Sequence, residues 1–148
     1  MALADLDNDG DPDVIVNQVN GPALVYRNDC AASRLSVRLK GKSPNTRGIG
    51  ARIAVLGGST SIQTQEMLCA GRYLSCDDTM CCFATGTSTN LTIQVAWRSG
   101  SVSVVSNALP DHLYIVDEAA AAPPAHGAKS ASLASINSTQ EPAPIQTP

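Results

Sequence analysis

The chain contains few aromatic residues, few charges and only two histidines. Aromatic side chains make up 3% of its 148 residues and charged side chains 16%. The few basic residues are not interleaved with aromatic ones, which argues against a nucleic-acid-binding surface. The shortage of aromatic residues also weakens the case for a carbohydrate-binding face, although it leaves that alternative open, because sugars usually stack on exposed Trp or Tyr.

Long apolar runs are missing as well. No segment approaches the roughly 20 apolar residues that a membrane-spanning helix needs, so we expect no membrane span. Acidic residues follow Met1 almost at once, and this start therefore does not resemble a signal peptide. No nucleophile–base pair can be assembled from the sequence. We expect the acidic pair Asp77-Asp78 and the pair Asp111-His112 to form polar turns, and we expect no enzyme.

Negative charge is concentrated at the start of the chain. Five aspartates occupy alternate positions from Asp5 to Asp13, and carboxylates this close repel one another unless a cation lies among them. Ca²⁺ takes about six to eight oxygen ligands from carboxylates, backbone carbonyls and water. Gly10 stands where the chain must turn over the ion. We therefore predict a Ca²⁺ site whose ligands are Asp5, Asp7, Asp9, Asp11 (through its backbone carbonyl) and Asp13.

The residues after this loop distinguish two kinds of calcium loop. An EF-hand would need a bidentate Glu at loop position twelve, which is Val16 here, and Asp13–Val16 is typical of a strand. The run from Ala4 to Val14 closely resembles the calcium loop of FG-GAP/VCBS repeats, the blades of integrin-like β-propellers. Asn20-Gly21 between two β-prone runs predicts a hairpin. Residues 1–29 are thus expected to form part of one blade, whose neighbouring repeats are missing from this chain.

The segment 34–117 shows the alternation of half-buried strands. Leu35, Val37 and Leu39 alternate with polar residues, and the same pattern recurs from Leu91 to Trp97. Ser61 to Leu68 is polar on one face and is expected near an edge. Short strands separated by turns, without helical periodicity, predict an all-β fold in which a small antiparallel β-sandwich or barrel-like domain follows the partial β-propeller blade.

Three motifs in this segment resemble the ASPIC/UnbV domain, which follows FG-GAP/VCBS repeats in the cartilage acidic protein family. They are Arg47-Gly48-Ile49-Gly50-Ala51-Arg52-Ile53, Gly71-Arg72-Tyr73-Leu74-Ser75 and Trp97-Arg98-Ser99-Gly100. The sequence departs from the family where Arg98 replaces a usual Pro and Cys76 replaces a usual Gln. The resemblance implies extracellular binding or adhesion, a secreted location, and an unidentified extracellular protein or glycan as partner.

The cysteines and the end of the chain complete the expectations. One or two disulfides are favoured, such as Cys76 with Cys81 or Cys82 and Cys69 with the remaining one, while free buried thiols and a metal site stay open and Cys30 is left over. Asn90-Leu91-Thr92 and Asn137-Ser138-Thr139 would be glycosylation acceptors in a secreted chain. Residues 119–148, rich in Ala, Pro and Ser, predict a disordered tail.

Together these features predict a non-enzymatic, extracellular-type binding or adhesion module with a structural Ca²⁺ ion. A carbohydrate-recognition or accessory region of a larger secreted enzyme is the alternative.

Overall fold

The computed structural model of the protein describes residues 1–123, and most of the predicted tail lies outside the described residues. The described chain is all-β, as predicted, and contains no α-helix. Its strands are β1 Ala2–Ala4, β2 Asp13–Val16, β3 Leu24–Tyr26, β4 Arg34–Lys40, β5 Arg52–Leu56, β6 Ile62–Glu66, β7 Met80–Ala84, β8 Leu91–Ala96, β9 Val102–Ala108 and β10 His112–Asp117. None of the helical turns in this part of the chain is long and apolar enough to cross a membrane.

The first three strands form an antiparallel sheet of their own in the order β1-β2-β3. The acidic loop, residues 5–13, connects β1 to β2. The predicted hairpin is present, because Val16 pairs with Leu24 and β2 runs antiparallel to β3. Asn20 lies in the hairpin connection with φ of 61°, a left-handed conformation that Asn adopts more readily than most residues.

The remaining strands form two sheets in the orders β10-β4-β7 and β6-β5-β8-β9. Their inner faces share one core, and the period-two pattern of the sequence explains which side chains enter it. Leu35, Val37 and Leu39 of β4 are buried, and so are alternate residues of β8. Between the two sheets lie Phe83, Ile53, Val55, Met67, Leu91, Ile93, Val95, Trp97 and Val116. The two sheets stay separate among the described residues, so the domain is a sandwich and not a closed barrel. The segment expected near an edge contains β6, an edge strand with mostly exposed side chains.

One pairing departs from the antiparallel expectation. β10 lies beside β4 in parallel, in a register that places Tyr114 opposite Val37. Hairpins force neighbouring strands to run antiparallel, whereas strands far apart in the chain may pair in either direction. Because β4 and β10 are the first and last strands of the sandwich, no hairpin connects them and packing determines their direction.

The segment after β10 belongs to the fold for a few residues. A 3₁₀ turn spans Glu118–Ala120, Ala121 packs against the core, and Ala122 bridges to Val102 of β9. The tail was expected to begin at 119, yet its first residues therefore contact the sandwich. The predicted disorder of residues 124–148 and the acceptor Asn137 lie outside the described residues.

Candidate functional site

The acidic loop brings three of the five predicted ligands together. One carboxylate oxygen from each of Asp5, Asp7 and Asp13 lies within 4.8 Å of the others. This cluster is held in place from both ends of the loop, since Asp5 precedes the turn and Asp13 begins β2. Oxygen-rich groupings of this kind suit hard cations such as Ca²⁺.

Backbone donors fix the two deeper members of the cluster. Asp13 is 2% exposed, and its two carboxylate oxygens accept hydrogen bonds from the amides of Leu6 at 2.9 Å and Asn28 at 2.8 Å. These bonds lower the pKa of Asp13 below its ordinary value. Asp5 accepts from the Gly10 amide at 3.1 Å through Oδ2, whereas its buried Oδ1 has no hydrogen-bond partner. A buried carboxylate oxygen without a donor is the atom that a bound cation would satisfy.

Arginine neutralises much of the remaining charge. Asp11 is buried and pairs with the guanidinium of Arg34, which comes from β4 of the sandwich. Burial raises the pKa of Asp11, and Arg34 opposes that rise. The same guanidinium lies 3.8 Å from Asp9. The side chains of Asp9 and Asp11 are thus turned towards Arg34, outside the cluster of three, and whether Asp9 or the Asp11 carbonyl contributes to an ion stays a prediction.

The involvement of Arg34 in the acidic loop was not predicted. The residue lies 21 positions after Asp13, and no local pattern connects the two. Two features of the sequence could have suggested the Asp11–Arg34 pair. The loop has a surplus of carboxylates, and Arg34 is the first residue of the segment 34–117 that follows it.

The acidic loop is also attached to the sandwich through its turn. The hydroxyl of Ser36, itself buried, donates to the Gly10 carbonyl at 2.8 Å, and the Cys82 thiol lies 3.4 Å from the same oxygen. β1 is attached nearby, because the Leu3 amide donates to Asp77 at 2.9 Å and the Asp78 amide donates to the Leu3 carbonyl at 2.8 Å. The ordering of the loop therefore affects the sandwich surface beside it.

The other acidic candidates have structural partners. Asp77 forms a bidentate ion pair with Arg72, which lowers its pKa, and Asp78 pairs with Arg38 at 2.6 Å. His112 Nδ1 lies 2.6 Å from the Pro110 carbonyl, while Asp111 accepts from the Arg34 amide at 3.1 Å. Asp77 and Asp78 lie in the irregular connection before β7 and not in a turn, whereas Asp111 lies in a bend and His112 begins β10.

The expected disulfides are not formed. All five cysteines are free thiols, three of them exposed. Cys81 and Cys82 are neighbours on β7, whose side chains alternate between faces, so Cys81 points into the core while Cys82 faces the acidic loop. Burial raises the pKa of Cys81 to about 11, which favours its inert thiol form. Disulfides were therefore the wrong choice among the alternatives left open.

Comparison with known proteins concerns the sandwich. A family model described as "ASPIC and UnbV" matches residues 41–123, more than half of the chain. The match includes the three motifs and extends through the 3₁₀ turn. A search among curated proteins found no match.

Proposed function

Because the chain belongs to the ASPIC and UnbV family, whose domain is a non-catalytic type, we propose that it is a secreted binding module with a structural Ca²⁺ ion in its acidic loop. The acidic loop and its sheet would be part of an FG-GAP/VCBS repeat, the usual neighbour that the resemblance implies. The sandwich would present the binding surface towards an extracellular partner.

The observation that carries the Ca²⁺ proposal is the cluster of three carboxylates, one of which, Asp5, has a buried oxygen without a hydrogen-bond partner. Arg27 approaches this cluster only at its rim, where it lies 3.0 Å from Asp7 with 64% of its side chain exposed. Exposed ion pairs in water contribute little, so this arginine cannot offset the repulsion among three acids. A divalent cation would offset this repulsion, and water or backbone carbonyls would supply the rest of its coordination.

The loop favours Ca²⁺ over Mg²⁺ on chemical grounds. Mg²⁺ requires near-ideal octahedral geometry and retains several waters, while Ca²⁺ accepts irregular oxygen sets on flexible loops. The role is structural because the ligands all come from one loop, and that loop supports a small sheet against the sandwich. An ion that binds only the folded loop stabilises it by mass action.

Calorimetric titration with CaCl₂ tests the proposal. We expect one site in the native sequence and at least tenfold weaker binding in Asp5→Asn, because the substitution removes a charged ligand while preserving shape. Asp29→Asn is the matched control, since Asp29 is an exposed acid of the same region that pairs with Arg27 outside the cluster.

Two readouts keep this test decisive. Without Ca²⁺, Asp5→Asn should melt at or above the temperature of the native protein, because it relieves repulsion. Absence of heat and of a melting shift at millimolar Ca²⁺ in the native protein would contradict the site. Asp9→Asn addresses the larger predicted set, and we expect it to retain binding because Asp9 faces Arg34.

A further inference from the structure

The cations of the described chain divide into two groups. Five of them form ion pairs with aspartates, namely Arg27, Arg34, Arg38, Lys40 and Arg72. The other four have no salt bridge within residues 1–123, and we call them the basic rim: Lys42, Arg47, Arg52 and Arg98. Unpaired cations that are scattered need no explanation, but these four are not scattered.

Two loops bring the basic rim together. A side chain at Gly48 would touch Leu39 and the ring of Trp97, and Arg98 folds over Gly50 so closely that its Cδ lies 2.7 Å from where a Cβ would be. Arg52 begins β5 opposite Ala96 of β8, next to Trp97. The loop that joins β4 to β5 and the turn that joins β8 to β9 therefore present their cations at one end of the sandwich, the end opposite Arg34 along β4.

A cavity of about 390 Å³ opens between these loops. Pro44 and Ile49 are the more exposed apolar residues of its lining, which also includes the largely buried Ala51 and Trp97. Lys42 and Arg98 lie at its edge with exposed side chains. Ligand sites in proteins commonly have this size and this mixture of an apolar lining with a few charged groups. The Trp97 Nε1 atom is engaged with Ser103 at 2.9 Å, so the indole is fixed in place.

The walls of the cavity are held firmly. Asn45 accepts from the Ile49 amide and donates to the Ile49 carbonyl, both at 2.9 Å. Glu118, 8% exposed, accepts from the Lys42 amide at 2.8 Å and from the Ser99 hydroxyl at 2.7 Å. Both carboxylate oxygens of Glu118 thus brace the two loops. A site held in this way loses little entropy when a ligand binds.

We propose that this cavity binds an acidic glycan, with a sugar ring against the apolar lining and its carboxylate or sulfate on Lys42 and Arg98. The proposal rests on the binding-module function proposed above and names its partner class. Two cations, Lys42 and Arg98, line the cavity together with one acid, Glu118, whose oxygens are engaged by the Lys42 amide and the Ser99 hydroxyl. The nearby Asp117 is paired with Lys40. The local excess of positive charge selects an anion.

The shape of the site favours a glycan over other anions. An acidic peptide adds to a sheet edge or lies along an extended groove, whereas Lys42 and Arg98 lie at the edge of one compact cavity. Nucleic acid binding would need an extended positive strip with several exposed aromatic side chains for stacking, and this cavity is compact with two cations in its lining. A sugar ring with one charged substituent suits both the cavity and the rim.

The test uses the full chain and two probes, a heparin hexasaccharide and an oligogalacturonate of the same length, with maltohexaose as the neutral control. We expect binding of at least one acidic probe, measured calorimetrically at about 0.15 M salt, and none of maltohexaose. The variant Lys42→Gln/Arg98→Gln should bind about tenfold or more weakly, because charge-assisted hydrogen bonds are lost.

Lys40→Gln is the matched control. Lys40 lies two positions before Lys42 but pairs with Asp117 at 2.8 Å, and its removal should change affinity by less than about twofold. Equal losses in Lys40→Gln and Lys42→Gln would overturn the proposal, because they would indicate attraction by net charge alone. Tighter binding of a glutamate decapeptide than of either glycan would replace it with a peptide site, and absence of binding to all probes would also overturn it.

The glycan test is independent of the Ca²⁺ test. Asp5→Asn should bind the acidic probe as the native protein does, because the acidic loop and the basic rim lie at opposite ends of β4. A protein that binds Ca²⁺ but no acidic glycan would refute only this inference, and the converse result would refute only the Ca²⁺ site.

Discussion

The acidic loop and the basic rim carry opposite charge, and they also differ in whether their charged side chains have partners within the protein. In the loop, backbone amides hold Asp13 and Arg34 neutralises Asp11. In the rim, none of the four cations has a salt bridge among the described residues. The acidic loop is thus partly neutralised by groups of the fold, which fits the structural role proposed for it, whereas the basic rim has exposed cations that are available to an anionic partner.

The largest expected effect on stability comes from a substitution of Trp97, the buried residue that lines the cavity beside the basic rim. Trp97→Ala deletes the indole that lies under the cavity and in the core, and large-to-small changes of this kind cost about 3–5 kcal/mol of the free energy of unfolding. Urea titration measures this loss of stability. Circular dichroism is the readout, because Trp97 is the sole tryptophan and its removal abolishes the tryptophan fluorescence signal. A loss below about 1 kcal/mol would show that the core does not depend on Trp97.

Arg34→Gln tests the internal neutralisation of the acidic loop. It leaves the Asp11 carboxylate buried without a partner, and we expect a loss of about 2 kcal/mol at neutral pH. Burial already raises the pKa of Asp11 above 3.8, and removal of Arg34 raises it further. The loss should therefore shrink as the pH falls and Asp11 becomes protonated. Arg52→Gln is the matched control from the rim, and it should change stability by less than about 0.5 kcal/mol at any pH.

Acid titration compares the stability contributed by two hydrogen-bonded carboxylates, Asp13 in the acidic loop and Glu118 beside the basic rim. The pKa of Asp13 lies below 3.8 because the Asn28 and Leu6 amides donate to it, and that of Glu118 lies below 4.5 because the Lys42 amide and the Ser99 hydroxyl do. An acid with a depressed pKa contributes stability that is present above its unfolded value and lost as the pH falls through the folded value.

Amide hydrogen exchange followed by NMR between pH 5 and pH 2 provides the measurement. The Leu6 and Asn28 amides depend on Asp13, and the Lys42 amide depends on Glu118. As the pH falls, each amide should stay protected below the ordinary pKa of its acid and lose protection when that acid becomes protonated. In Asp13→Asn the first pair should lose protection while Lys42 keeps it, and Glu118→Gln should do the reverse. Coupled loss at both ends in either variant would contradict the separation of the two regions.

The smallest expected effect concerns the turn of the acidic loop. Ser36→Ala removes the 2.8 Å hydrogen bond to the Gly10 carbonyl, and we expect a cost of about 1 kcal/mol. Cys82→Ala removes only a weak thiol contact at 3.4 Å and should cost less than about 0.5 kcal/mol. Chemical denaturation of both variants measures the difference, and a larger effect for Cys82 would reverse the assigned order.

The local patterns of the sequence predicted much of this fold. Alternation identified the strands that contain Leu35 and Leu91, and Asn20-Gly21 identified the hairpin, because these signals depend on neighbouring residues. Contacts across long separations were missed. Nothing near Asp11 indicates Arg34, nothing near Lys42 indicates Glu118, and no local rule determines that β10 pairs in parallel with β4.

The candidate sites show the same division. Charge repulsion within the acidic loop predicted a cation site, and the structure brings three of its five aspartates together. The disulfide expectation relied on sequence spacing and was wrong, because β7 directs Cys81 into the core and Cys82 towards the Gly10 carbonyl of the acidic loop. The basic rim could not be recognised from the sequence, since its four cations are separated by up to 56 positions between Lys42 and Arg98.

The parallel pairing of β4 with β10 has a mechanical consequence. These strands begin and end the sandwich, so a pull on the chain before β4 and after β10 would drag them in opposite directions along their shared length. The two strands are paired from His112 opposite Leu35 to Asp117 opposite Lys40. All the hydrogen bonds of this ladder would then bear the load together instead of opening one after another from an end. The sandwich is therefore built to resist tension along its own chain.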